Sequence, residues 1–204
     1  MSFTKGLTGR LVMDNPEELM ILRSFIDIVE QLGISYAIGG AMASSIYGEV
    51  RFTQDADLTV EPFDEVADKL FEKLEGGYYV SREAMQRALK ERSSFNVIHL
   101  QSAFKIDVFV RKASGFEEQL LTRRRQLKLL DSLEKLFSVI SPEDIILLKL
   151  QWYRDGGCVS ERQWNDVLGV LRIQAEALDF EHLKKWADTL MIDELLQRAI
   201  VESK

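Results

Sequence analysis

Cysteine, histidine and proline are all scarce in this 204-residue chain, which carries one, two and three of them. A lone Cys158 excludes an internal disulfide and a thiolate metal cluster. Two histidines are too few for a His-rich zinc centre. No apolar run approaches the ~20 residues of a membrane span. The opening residues MSFTKGLTGR lack the apolar core of a signal peptide, so a cytoplasmic address is expected. Positive charge is not in excess either: the formal net charge of -7 argues against a protein that coats duplex DNA by bulk electrostatics. The phosphate-binding pattern Gly-x4-Gly-Lys-Ser/Thr, a Ser/His/Asp arrangement, internal repeats and low-complexity segments are also missing.

What is present suits a globular chain with a real core: 46% apolar and 29% charged residues. Asn15-Pro16-Glu17-Glu18 is a helix start, with apolar residues at helical spacing as far as Gly33. Residues 34–38 read as a short buried strand, 41–47 as a small-residue helix and 56–60 as a second strand. Amphipathic helices follow at about 63–74 and 81–90, then strands at 95–100 and 104–110 around a Gln101-Ser102 turn. A helix at 115–121 precedes an expected hairpin of 126–130 and 135–140. Ser141-Pro142-Glu143-Asp144 is a second strong helix start, and beyond it the pattern is helical throughout. The expected architecture is therefore α/β (α+β): a core over 1–140 and a helical C-terminal region over 141–204, either a small domain or an attached bundle.

The chemistry concentrates in Ile38–Val60. Asp55 and Asp57 flank Ala56, so strand alternation puts both carboxylates on one face and Ala56, Leu58 and Val60 on the other, apolar one. Adjacent like charges repel unless solvent or a cation offsets them, and a divalent ion with oxygen ligands does so. The plainer reading is two aspartates on an exposed edge strand. Gly39-Gly40, just before a helix, lets the backbone approach a ligand and aims free N–H groups at a phosphate. Ser44 could add a hydroxyl, and Arg51 and Thr53 lie close enough in sequence to touch a phosphate. Asp107 interrupts the apolar stretch Ile106–Val110, sharing a face with Lys105 and Phe109. If that strand lies beside 56–60, three carboxylates converge, a set suited to two-metal nucleotidyl transfer.

These residues resemble the DNA polymerase β-like nucleotidyltransferase superfamily: Ile38-Gly39-Gly40, a spacer, Asp55-Ala56-Asp57-Leu58 and a later Ile106-Asp107-Val108. With Tyr47, Gly48, Arg51 and Thr53 included, the run is most similar to the bacterial branch that holds the AbiEii-type toxins. Ser141-Pro142-Glu143-Asp144 with Leu148-Lys149-Leu150 resembles that branch's helical segment, and Asp166 fits its final acid. Trp164 and Asn165 stand where Lys-Asp is usual. The likeness covers about residues 20–170.

The resemblance implies a mixed sheet flanked by helices and transfer of an NMP from an NTP to a hydroxyl acceptor: RNA, protein or a small molecule. It implies two Mg²⁺ ions on Asp55, Asp57 and Asp107, with Gly39 and Gly40 cradling phosphates and Lys149 beside the nucleotide. It also implies a possible toxin role with an antitoxin partner. The alternative is a catalytically silent binding module of the same fold. Lys149 could simply snorkel from an apolar helix. Arg123–Arg125 reads as solvated charge or as contact with a phosphate-rich partner, His99 as structural, and Trp152, Trp164 and Trp186 as core.

Overall fold

The computed structural model describes residues 16–130 and 133–204. The helix cap expected at Asn15 lies outside them. Helix α1 (Pro16–Gln31) buries Leu19, Leu22, Phe25, Ile26 and Val29, the residues its periodicity singles out. Gly33, at φ +71°, turns the chain into strand β1 (Tyr36–Ile38). Helix α2 (Gly40–Tyr47) and strand β2 (Asp55–Val60) follow.

A 3-10 turn over Asp64–Val66 leads to α3 (Ala67–Leu74), where a single helix from 63 is expected. Its N-cap residue is Val66, whose side chain cannot accept a hydrogen bond. Strand β3 (Tyr78–Val80) is not expected from the sequence; three residues after Gly76-Gly77 give too short a pattern to read. Then come α4 (Arg82–Glu91), capped by the Ser81 hydroxyl, and the antiparallel pair β4 (Ser94–His99) and β5 (Lys105–Val110). Ser114 caps α5 (Gly115–Thr122), and β6 (Arg125–Leu127) pairs antiparallel with β7 (Phe137–Val139), so the second hairpin forms with shorter strands than expected.

The strands make one mixed sheet in the order β3-β4-β5-β2-β1-β7-β6. At its centre β2 runs parallel to β5 and antiparallel to β1. Both β2 and β5 alternate in burial: Ala56, Leu58, Val60, Ile106, Val108 and Val110 enter the core, while Asp55, Asp57, Lys105 and Asp107 keep contact with solvent.

The back of the chain is α6 (Pro142–Asp155), α7 (Glu161–Gln174), α8 (Phe180–Thr189) and α9 (Asp193–Glu202). One hydrophobic cluster runs from α1 through the sheet to α9, and α2 packs against both α6 and α7. The contact with α7 is a close backbone approach. A Cβ on Gly48 would lie 2.8 Å from the Val170 nitrogen, and one on Gly169 would lie 3.1 Å from the Glu49 nitrogen. The helical region is thereby seated on the element that carries the glycine pair.

Arg123 and Arg125 face this junction. Arg123 reaches Glu143, Asp144 and Asp179 at 3.6–3.9 Å, and Arg125 lies 3.3 Å from Glu143. The expectation of plain solvated charge is therefore corrected for these two residues. They neutralise the buried acids of the first turn of α6, which sequence spacing does not reveal.

Candidate active site

Parallel pairing of β2 with β5 puts Asp57 opposite Asp107 and Asp55 opposite Lys105. The two aspartate-bearing strands are thus neighbours in matching orientation, and the three carboxylates occupy one sheet face.

Helix α2 closes over Asp57. Gly40 sits at φ +54°, and a Cβ there would fall 1.6 Å from the Asp57 Oδ2 atom, so no side chain fits. The Ala41 N–H donates to the Asp57 carboxylate, and the Gly39 N–H donates to the Asp57 carbonyl at 2.8 Å. Burial, then the carboxylates of Asp55 and Asp107, push the Asp57 pKa up to about 6; Lys149 and the Ala41 N–H act the other way.

The remaining acids have partners. Thr53 is buried and donates its hydroxyl to the Asp55 Oδ1 atom at 3.0 Å and to the Asp55 carbonyl at 3.2 Å. Asp107 accepts from the Asn96 amide across the β4–β5 pair. The Lys105 Nζ atom lies 2.8 Å from Asp107 and 3.5 Å from Asp55, and its pKa rises first through the hydrogen bond to Asp107. Among the described residues no three His, Cys, Asp or Glu side chains stand grouped to hold a metal ion. With these contacts in place, Asp107 and Asp55 are held by Lys105, Asn96 and Thr53, and Asp57 by the start of α2. The donor set itself suits a hard divalent ion: three carboxylates on one face, one of them short of positive charge.

Beside Asp57 opens a cleft of ≈ 320 Å³ lined by residues of both halves of the chain, among them Gly40, Ala41, Arg51, Lys149 and Trp152. Lys149 does not snorkel to water. It is 2% exposed and donates to Asp166 at 2.6 Å and to Gln163 at 2.9 Å. Arg51 grips the other side of Asp166 with two hydrogen bonds of 2.8 and 3.0 Å. Burial pulls the Lys149 ammonium below its ordinary value, although Asp166 opposes that pull. Burial also works to raise Asp166, but the bonds from Arg51 and the charge of Lys149 hold it below the usual carboxylate value.

Three expectations are altered. The Ser44 hydroxyl donates to the Ala41 carbonyl inside α2, so it is engaged within the helix and does not line the cleft. Thr53 orients Asp55 and likewise lies outside the cleft lining. Trp152 is 36% exposed and lines the cleft with Phe109, their rings 6.3 Å apart, in place of the core position expected. Asn96, Lys105 and Gln163 were not singled out by sequence reasoning. Strand alternation was the available signal for Lys105, which shares the face of Asp107. Asn96 and Gln163 carried none.

Solved structures share this arrangement of elements. A nucleotidyltransferase-like protein from Paracoccidioides brasiliensis superposes with a TM-score of 0.56 at 16% identity, over 91% of this chain and 93% of its own. The antibiotic-resistance factor ANT(2'')-Ia, in complex with adenylyl-2''-tobramycin, gives 0.54 at 14% identity, covering 86% and 97%. The chain has the nucleotidyltransferase fold. The lincosamide antibiotic adenylyltransferase LnuA, bound to lincomycin, shares that fold with a TM-score of 0.52 at 15% identity, over 78% of this chain and 98% of its own. No family model and no curated sequence matches the chain. At these identities the likeness is one of fold, and the chemistry must be argued from the site itself.

Proposed function

We propose that this protein is a Mg²⁺-dependent nucleotidyltransferase that moves an NMP from an NTP to a hydroxyl group and releases pyrophosphate. The observation that carries this reading is the in-register pairing of Asp57 with Asp107, beneath a glycine that leaves space only for the Asp57 carboxylate. Asp55, Asp57 and Asp107 would hold the metal. Bound Mg²⁺ would neutralise the triphosphate and make the acceptor hydroxyl more acidic.

In the reaction the acceptor oxygen bonds to the α-phosphorus as the bond to the β,γ-diphosphate breaks, and the hydroxyl proton passes to Asp107. Gly39 and Gly40 bring the backbone close to the phosphates, and Arg51 and Lys149 supply positive charge along the cleft. The ring faces of Trp152 and Phe109 offer a surface on which a base can stack.

The acceptor belongs to one of three classes, RNA, protein or small molecule. The small-molecule class has added support in the antibiotic-modifying neighbours of the same fold. A toxin role with an antitoxin partner, and membership of the AbiEii-type branch, rest on the sequence pattern from Gly39 to Leu58 and on the later segment from Ser141 to Leu150 with Asp166.

The test is incubation with each α-labelled NTP, Mg²⁺ and a panel of RNA, protein extract and hydroxylated small molecules. Label should appear in one acceptor class and vanish with Asp55→Ala. Labelling by Asp55→Ala at the normal rate would sink the mechanism.

A further inference from the structure

A lysine has no evident place in a carboxylate site meant for cations, yet Lys105 stands inside it. Its Cα is the register partner of Asp55, and its side chain lies on the same face as Asp107, two residues along the strand. The ammonium is within 2.8 Å of one carboxylate and 3.5 Å of another. Its side chain is about 41% exposed, so it has room to swing away without disturbing the core. Asp107 also accepts a hydrogen bond from Asn96, a contact in which the lysine takes no part.

We propose that Lys105 is a resident counter-ion, which holds the site together before metal arrives and must be displaced when a divalent ion enters. The inference rests on the metal-dependent reading above and assigns a role within it. Three carboxylates without a cation would repel, and one ammonium shared by Asp55 and Asp107 relieves that repulsion. A dication arriving at the same carboxylates meets a like charge in its place. Affinity for free metal is therefore low until a triphosphate adds its own negative charge to the site. This couples metal entry to nucleotide binding and keeps the carboxylates from being loaded by metal alone.

The experiment measures Mn²⁺ affinity in the absence of nucleotide, by the electron paramagnetic resonance signal of free Mn²⁺, for the wild type, Lys105→Met and Lys105→Arg. Lys105→Met should bind about tenfold more tightly than wild type, and Lys105→Arg within about twofold of it, because only the former removes the competing charge. Thermal melting supplies a second readout. Without metal, Lys105→Met should melt below wild type near neutral pH, and saturating Mn²⁺ should close the gap. A Lys105→Met affinity equal to or weaker than wild type overturns the counter-ion role and leaves the nucleotidyltransferase reading standing. If none of the three proteins binds Mn²⁺, with or without NTP, the metal-dependent reading fails and this inference fails with it.

Discussion

Gly40 and Asp57 occupy the same volume: the space a β-carbon would take at position 40 is filled by the Asp57 carboxylate, 1.6 Å from where that carbon would sit. The φ of +54° at Gly40 adds a second reason for glycine there, since residues with side chains rarely adopt it. The turn between β1 and α2 and the carboxylate-bearing face of β2 are thus one structural unit.

Gly40→Ala should therefore displace Asp57 and not merely strain a turn. Nucleotidyl transfer is expected to fall about a hundredfold or more, the scale of an ångström-sized misplacement of a reacting group. Steady-state kinetics with the labelled NTP checks this. Circular dichroism should report a folded protein.

Asp57 makes the metal-free protein less stable above the acid range. Its folded pKa of about 6 exceeds the reference value of 3.8, so between those values the folded state binds more protons than the unfolded one. Stability is lost as pH rises through this window, and the loss is complete above it. The rise from 3.8 to about 6 corresponds to up to about 3 kcal/mol. Asp57→Asn should accordingly melt higher than wild type at pH 7.5 without metal, and the difference should shrink near pH 4. Adding Mg²⁺ should raise the melting temperature of wild type and leave that of Asp57→Asn unmoved.

Asp166 joins Arg51, just before β2, to Lys149 on α6. Asp166→Asn leaves the Lys149 ammonium buried without its ion-pair partner, and unfolding in urea should show a loss of about 3 kcal/mol at pH 7. Its folded pKa lies below 3.8, so the stability it supplies is present above 3.8 and fades as pH falls through the lower folded value. The acid limb of the wild-type stability curve should be steeper than that of Asp166→Asn.

Trp152 tests the cleft as the nucleotide site. Loss of one stacked ring costs about 1–3 kcal/mol in binding, so Trp152→Ala should raise KM for the NTP about tenfold with kcat little changed. An unchanged KM would move the base elsewhere.

Local rules made much of this protein legible. Ser81, Ser114, Ser141 and Ser160 each cap the helix that follows, because a hydroxyl ahead of a helix accepts an otherwise orphaned N–H. Alternation on β2 and β5 fixes which side chains share a face before any sheet is built. The glycine pair, the aspartates, Arg51 and Lys149 are legible in sequence as candidates, and the structure gathers Gly40, Arg51, Asp57 and Lys149 around one cleft.

What the sequence could not determine are relationships between residues far apart in it. The pairing of β2 with β5 in register, which puts Asp57 beside Asp107, depends on which strands the core brings together. The helical region sits on α2 because Gly48 and Gly169 allow two backbones to approach. That contact, between positions 48 and 169, seats the helical region where Lys149, held by Asp166, becomes part of the wall of the cleft. The β2–β5 register likewise explains why Lys105, a plain strand residue by its pattern, stands among the carboxylates. Sequence determined which groups were available; tertiary packing decided which of them meet, because charge and backbone contact act through space and not along the chain.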